Sequence, residues 1–259
     1  MLNLTRAAEE AEQMRERVVD ACDLCGGQGA TVPDEDDIDP DTMEPRVVPC
    51  TCYLEAVRQV RLIEGNVPRE FREEAEATFK AFAEGPNEVV AELLSEYVNR
   101  MEAARRHGLG FFFYGENGVG KTLCATWLLS QAVRKGLSVF YVTADEWLEG
   151  VRAGFRDEEL VEWMRLQTEA DLFVLDELGK EHRAAGSTFA PAEFDKLIRG
   201  RASALKPTVV VSNIQDRDQV REDLGSSLTS ILSGRRFRWV EFEPGDFRGA
   251  VTWEELLNE

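Results

Sequence analysis

The chain has 259 residues, enough for one full α/β domain plus a small accessory module. It is 43% hydrophobic and 31% charged, with a net charge of −19 spread over both halves of the chain. That acidity argues against a broad electrostatic grip on nucleic acid, whose affinity comes largely from neutralised phosphates, although a local basic groove is compatible with it. No apolar run is long enough to span a membrane, and the first residues, MLNLTRAAEEAEQMRERVV, lack the apolar core of a secretory signal. The expected compartment is the cytoplasm.

The first element predicted is a short charged helix over about residues 2–20. Cys22-Asp-Leu-Cys25-Gly-Gly follows it, and Cys50-Thr-Cys52 comes later, a C-x2-C … C-x-C pattern with about 24 residues between the pairs. Four thiolates at this spacing suit one tetrahedral zinc, and the glycines permit the tight turn that points backbone N–H groups at sulfur. Such a site is closed, and therefore structural. Disulfides are the competing reading, set against the reducing compartment expected here. A redox C-x-x-C is a third, without a surrounding thioredoxin-like βαβ unit. Val32–Arg46 holds three prolines and many carboxylates, and reads as a mobile loop. Residues 53–64 are predicted to form a helix leading out of the module. The expected organisation is a zinc-binding module over 1–64, a linker over 65–86 and an ATPase domain over 87–259.

Beyond the linker the pattern alternates. A long amphipathic helix (87–106) precedes an apolar strand, Leu109–Tyr114. The loop Gly115-Glu116-Asn117-Gly118-Val119-Gly120-Lys121-Thr122 then opens a helix at Leu123. It fits G-x-x-x-x-G-K-[ST], the loop whose backbone N–H groups cradle nucleotide phosphates. Strand, glycine turn and helix in this order aim the positive end of a helix dipole at an anion. Lys121 is expected to reach the outer phosphates, and the Thr122 hydroxyl to ligate magnesium.

Further strands are predicted at 138–143, 171–175, 207–211 and 237–242. Helices are predicted over about 144–167, 191–204 and, last, 253–258. Leu172–Leu175 (LFVL) and Thr208–Val211 (TVVV) are apolar without alternation, as in strands covered on both faces. The fold class is therefore α/β, a doubly wound parallel sheet of the P-loop ATPase kind. The strand at 172–175 ends in Asp176-Glu177, about 55 residues after Lys121. The aspartate can hold magnesium and the glutamate can orient the attacking water. Asn213, at the tip of the next strand, is placed to contact the γ-phosphate or that water. Cys124 is read as a packed core thiol, and His107 and His182 as a helix-end cation and a loop residue.

Taken together, YGENGVGKT (114–122), VFYVTADEWL (139–148), DLFVLDELGKE (171–181), FDKLIRGRASALKPTVVVSN (194–213) and VEFEPGDFR (240–248) resemble the AAA+ ATPases of the bacterial helicase-loader family, DnaC/DnaI type, and their relative IstB. NVPREFREEAEATFKAF (66–82) resembles the family's linker, which packs near the adenine. The resemblance implies an ATP-dependent protein that self-associates into a ring or spiral. It implies a replicative DNA helicase and single-stranded DNA as partners, with Trp147, Arg152 and Phe155 as candidate DNA contacts, although amphipathic packing explains the two aromatics equally well. The cysteine module resembles those preceding the ATPase in loader relatives, which present a surface to the helicase.

One stretch departs from the pattern. Gly225–Leu232 has Ser227 and Ile231 where the family carries arginines, the last serving as the finger for a neighbour's ATP. Such a finger is worth about 10³–10⁵ in turnover. Arg201, Arg235 and Arg236 are the candidate substitutes, with a plain surface or phosphate-contact role the equal alternative for each. Only 46 residues follow Asn213, which leaves no room for a separate helical lid. Three other functions stay open: an IstB-like helper of transposition, a nucleotide-gated adaptor with feeble hydrolysis and, last, a small-molecule kinase.

Overall fold

The computed structural model describes residues 4–31, 38–72, 75–153, 158–179 and 189–243. The chain divides into two compact units, Leu2–Asn66 and Val67–Glu259. The first holds helices α1 (Leu4–Asp20) and α2 (Thr51–Glu64), packed on each other, and the two-residue strands β1 (Ala30–Thr31) and β2 (Val48–Pro49), paired antiparallel. Within the acidic stretch, residues 38–46 fold back as a turn. Asp39 N–H donates to Glu44 O at 2.8 Å, and Ile38 bridges to Pro45.

The second unit includes α3 (Ala75–Ala83), so the part of the 65–86 segment from Val67 onward lies with the parallel-sheet unit. There Phe79 stacks on Trp127 with ring centroids 3.6 Å apart, and Phe82 lies 6.0 Å from Phe242. The long helix expected over 87–106 is instead two, α4 (Glu88–Asn99) and α5 (Met101–His107). They are broken at Arg100, whose backbone leaves the helical region at φ −106°, ψ 16°. Asn99 and Arg100 at the break are exposed, and beyond it Met101 and Ala104 are buried.

Five strands then form one parallel sheet: β3 (Gly110–Tyr114), β4 (Val139–Thr143), β5 (Leu172–Leu178), β6 (Thr208–Ser212) and β7 (Phe237–Glu241). Their spatial order is β4-β5-β6-β3-β7. The strands alternate in sequence with α6 (Lys121–Arg134), α7 (Ala144–Ala153), α8 (Glu158–Glu169), α9 (Phe189–Ser203) and α10 (Arg217–Leu232). Every residue of β3 and β6 is buried, the mark of a sheet covered on both faces. This is the α/β P-loop architecture expected from the strand pattern. Its order places the two acid- and asparagine-tipped strands side by side and sets β6 directly against the strand that feeds the glycine loop. Close approach is built into that pairing at Gly110, where an added Cβ would fall 1.9 Å from Thr208 O. The helix expected at 253–258 and His182 lie outside the described residues.

Candidate functional site

The loop Gly115–Gly120 leaves β3 and enters α6 with Gly118 at φ +83° and Gly120 at φ +91°. Both values lie in the left-handed region, which only glycine adopts at no steric cost, so the turn depends on these two residues. Gly120 is also the residue that precedes α6, and the free N–H groups of the helix's first turn face the loop. Lys121 is nearly buried, its Nζ donating to Gly115 O at 2.9 Å and to Glu116 O at 2.5 Å. Its charge is therefore held inside the concave side of the loop, among carbonyls and close to the helix dipole.

The second half of the site comes from β5. Asp176 is 2% exposed, and its Oδ2 accepts hydrogen bonds from Thr122 Oγ1 at 2.8 Å and from Tyr141 Oη at 2.9 Å. Its Oδ1 accepts from the Glu177 backbone N–H at 2.6 Å. Burial pushes the Asp176 carboxyl above the usual carboxylate range, against the pull of these three donors. The same burial, with Asp176 next to it, raises the Tyr141 phenol. Tyr141 was not singled out in the sequence. On β4 it pairs with Val174, two residues before Asp176, so its ring reaches the carboxylate along the diagonal of the pleat.

Glu177 is held in a conformation unusual for its type, φ +61°. The β5–β6 register slips there, from Leu175 opposite Val210 to Leu178 opposite Ser212, a bulge that takes in Asp176 and Glu177. A bulge re-aims side chains, and strained backbone of this sort persists where the surrounding structure holds it. The surroundings are Ser212 and its neighbours. Ser212 Oγ donates to Leu178 O at 2.7 Å and accepts from Ile214 N–H at 3.3 Å, while Gly115 N–H donates to Ile214 O at 2.9 Å. The end of β6 and the two residues after it thereby fasten the acidic strand to the mouth of the glycine loop, with the half-buried Asn213 between Ser212 and Ile214.

The donor set suits a nucleotide with a hard divalent cation. A hydroxyl and a buried carboxylate, both oxygen ligands, meet beside a lysine and a row of backbone N–H groups. Leu123, the last residue of the predicted loop set, turns into the core of α6.

In the first unit the four cysteines converge. The Sγ atoms of Cys22, Cys25, Cys50 and Cys52 all lie within 4.8 Å of one another. Cys22 and Cys50 are 3.8 Å apart and Cys25 and Cys52 3.5 Å apart, and none is disulfide-bonded. Tetrahedral zinc with sulfur at its usual bond length needs edges of about 3.8 Å. Gly29 N–H donates to Cys25 Sγ at 3.2 Å, the backbone support expected of such a turn. Cys124, by contrast, is fully buried in α6, and burial raises its thiol well above the ordinary value.

Two of the candidate roles are ruled out. Arg201 is 1% exposed. Its guanidinium donates to Thr208 Oγ1 and to the carbonyls of Gln167, Thr168, Ala170 and Pro207, and it lies 4.8 Å over the Phe173 ring. It ties α8, α9 and β6 together and is not available to a neighbouring subunit. Trp147 is 4% exposed and stacks on Trp163 at 6.0 Å, so it offers no face to a DNA base. Phe155 lies outside the described residues, and Arg152 is exposed. Ser227, at the arginine-like position, is hydrogen-bonded to Asp195 and Arg199 on α9. Arg235 is exposed, and Arg236 donates to Ala202 O at 2.6 Å.

Residues 79–192 match the family model described as IstB-like ATP binding protein. A curated relative, the replicative helicase loader DnaC of Escherichia coli strain K12, is 24% identical over 147 residues, 56% of this chain and 58% of that protein. The match thus spans little more than half of the relative's length. Among solved structures, DnaI superposes with a TM-score of 0.54 at 18% identity, covering 70% of this chain and 94% of that one. The replication initiator DnaA bound to AMPPCP and single-stranded DNA superposes with a TM-score of 0.52 at 21% identity, over 66% of this chain and 51% of that one. At these identities the structural likeness speaks for the fold.

Proposed function

From the match of residues 79–192 to the IstB-like ATP binding protein model, we propose that this protein is an AAA+ ATPase that binds ATP with magnesium and helps place a replicative helicase on single-stranded DNA. The observation that carries the nucleotide part is the 2.8 Å contact between Thr122 and Asp176, which come from separate elements and join the glycine loop to the acidic strand. In this reading Thr122 and Asp176 would hold magnesium, which would supply neutralisation of phosphate charge when bound. The backbone N–H groups of Gly115–Thr122 cradle the phosphates, and Lys121 shifts from its loop carbonyls to the phosphate oxygens. Glu177, aimed by the bulge, orients and polarises the attacking water. Asn213, fixed by Ser212 and Ile214, contacts that water or the γ-phosphate. Zinc bound by Cys22, Cys25, Cys50 and Cys52 holds the first unit in shape for a protein partner.

The loader role is supported by the relatives, which include a replicative helicase loader. Self-association and single-stranded DNA binding are part of the same proposal. A second reading, a nucleotide-gated adaptor with little turnover, is favoured by Ser227 and Ile231 at the arginine-like positions and by the burial of Arg201. ATPase assays with and without single-stranded DNA and a cognate helicase, on the intact protein and on Glu177→Gln, separate the two. The enzyme reading expects Glu177→Gln to keep nucleotide binding and lose turnover by about 10²-fold or more. Turnover of the intact protein no higher than that of the variant would leave only the adaptor. Capture of a transposase in place of a helicase would replace the loader role with an IstB-like one.

A further inference from the structure

Against the net charge of −19, a cationic cleft opens in the second unit. It has a volume of about 470 Å³ and lies where β3 and β7 begin, at the end of the sheet opposite the glycine loop. Its floor is apolar. Leu93 and Phe237 are half-buried there, and Leu109 remains 38% exposed. Val89, one turn before Leu93 on the same face of α4, is 77% exposed and carries the apolar stripe beyond the cleft. The rim holds Arg100, Arg235, Arg236 and Arg238, with His107 and a single carboxylate, Glu96.

Two of these arginines are already engaged. Arg100 pairs with Glu96 at 2.9 Å, and Arg236 donates to Ala202 O at 2.6 Å. Among the described residues Arg235 and Arg238 have no carboxylate partner, on a chain with 49 acidic residues against 30 basic ones. Arg238 is fixed in place by β7, in register with Phe111 of β3. Unpaired arginines beside exposed apolar side chains mark a surface whose carboxylates come from a partner. Nucleic acid fits it less well, because base stacking needs free aromatic faces. Here Tyr97 meets Phe111 edge-on at 4.8 Å and donates its hydroxyl to Leu109 O at 2.8 Å, while Phe111 is 2% exposed. A long polyanion also meets repulsion from the whole acidic chain, which a short segment with a few carboxylates meets much less.

We propose that this cleft is the docking site for an acidic amphipathic helix of a partner protein, its aliphatic anchors over Val89, Leu93 and Leu109 and its carboxylates against Arg235 and Arg238. The apolar stripe from Val89 to Tyr97 runs about 12 Å along α4, just over two helical turns, as a helix laid in a groove requires. The planar fork of arginine takes a carboxylate through two parallel hydrogen bonds, so the rim sets the rotation of the docked helix as well as attracting it. Glu88, Glu92 and Glu96 form an exposed acidic row on the next face of α4, which turns the partner's carboxylates toward β7. The inference stands apart from the nucleotide site and holds whether or not the protein turns over ATP.

Three synthetic helical peptides of about 16 residues test it, by fluorescence anisotropy on the full chain. One is acidic with leucines at i, i+3, i+4 and i+7, one is its lysine counterpart, and one is a scrambled acidic peptide without an apolar face. The acidic amphipathic peptide should bind, with the lysine and scrambled peptides at least about tenfold weaker. Leu109→Glu, and separately Arg235→Glu with Arg238→Glu, should each weaken it by about tenfold or more. The charge-reversed chain should then prefer the lysine peptide, an exchange of preference that misfolding cannot produce. Equal affinity for the scrambled peptide, no binding of any peptide at about 100 μM, or unchanged affinity in both variants overturns the proposal. A single-stranded oligonucleotide that binds through Arg235 and Arg238 more tightly than the acidic peptide assigns the cleft to nucleic acid and overturns it. So does self-association that sediments in the intact protein and is lost on charge reversal, which assigns the cleft to a second copy.

Discussion

Tyr141 Oη donates to the same carboxylate oxygen of Asp176 that accepts the Thr122 hydroxyl, so a phenol on β4 and a threonine on α6 share one acceptor on β5. The tyrosine stabilises the charged form of a carboxylate that burial alone disfavours. Tyr141→Phe removes one donor without changing the packing. It should lower the stability of the fold by about 1 kcal/mol. It should also weaken the magnesium-dependent part of nucleotide affinity, because Asp176 is then more easily protonated. Thermal unfolding and a magnesium titration at fixed nucleotide check the two effects.

Acid should act on the same carboxylate in two opposite directions. Its pKa is raised in the folded protein, so the Asp176 contribution to stability is present in full at low pH and lost as pH rises through the folded value. Magnesium requires the ionised form, so metal-dependent affinity should instead fall on acidification, at a higher pH than for an exposed aspartate. Nucleotide binding measured with and without magnesium as the pH is lowered from neutrality checks this. Asp176→Asn should flatten the pH dependence and leave only the magnesium-independent binding.

Arg201 should behave as a structural lock. Arg201→Met keeps the aliphatic packing but strands buried carbonyls at the end of α8 and the start of β6, and is expected to cost about 3 kcal/mol or more. Arg201→Lys should be intermediate, since three ammonium donors cannot reach the acceptors that a planar guanidinium serves. Denaturant melts rank the three proteins. A normal melt of Arg201→Met would show that these carbonyls do not depend on the guanidinium.

Zinc should be present at one equivalent per chain and be lost in Cys50→Ser and Cys25→Ser. Chelation should unfold residues 2–66, because structural zinc binding is folding free energy in modules of this size. The ATPase unit has its own core, so nucleotide should still raise the melting temperature of the Val67–Glu259 transition. Metal analysis and calorimetry on the full chain, before and after chelation, measure both.

Much of this protein is legible one residue at a time. The glycine loop, the apolar strands and the paired cysteines are local patterns, because phosphate cradling needs left-handed glycines and a covered parallel sheet needs unbroken apolar runs. Asp176 and Glu177 are equally legible after an apolar run, although the strand continues through them to Leu178, and Asn213 follows the tip of β6. What local pattern cannot carry is which oxygen faces which donor across the sheet. Tyr141 reads as a core aromatic until β4 is paired with β5 in register, and the bulge at Asp176–Glu177 exists only as a mismatch between two strands. Arg201 looks like a surface cation at a helix end. Its burial follows from the way α8 and β6 bring five acceptors around it, and no spacing in the chain encodes that meeting. Backbone conformation is set by near neighbours and so is written along the chain. Hydrogen-bond partnership between distant elements depends on register and twist, and only the folded sheet decides it.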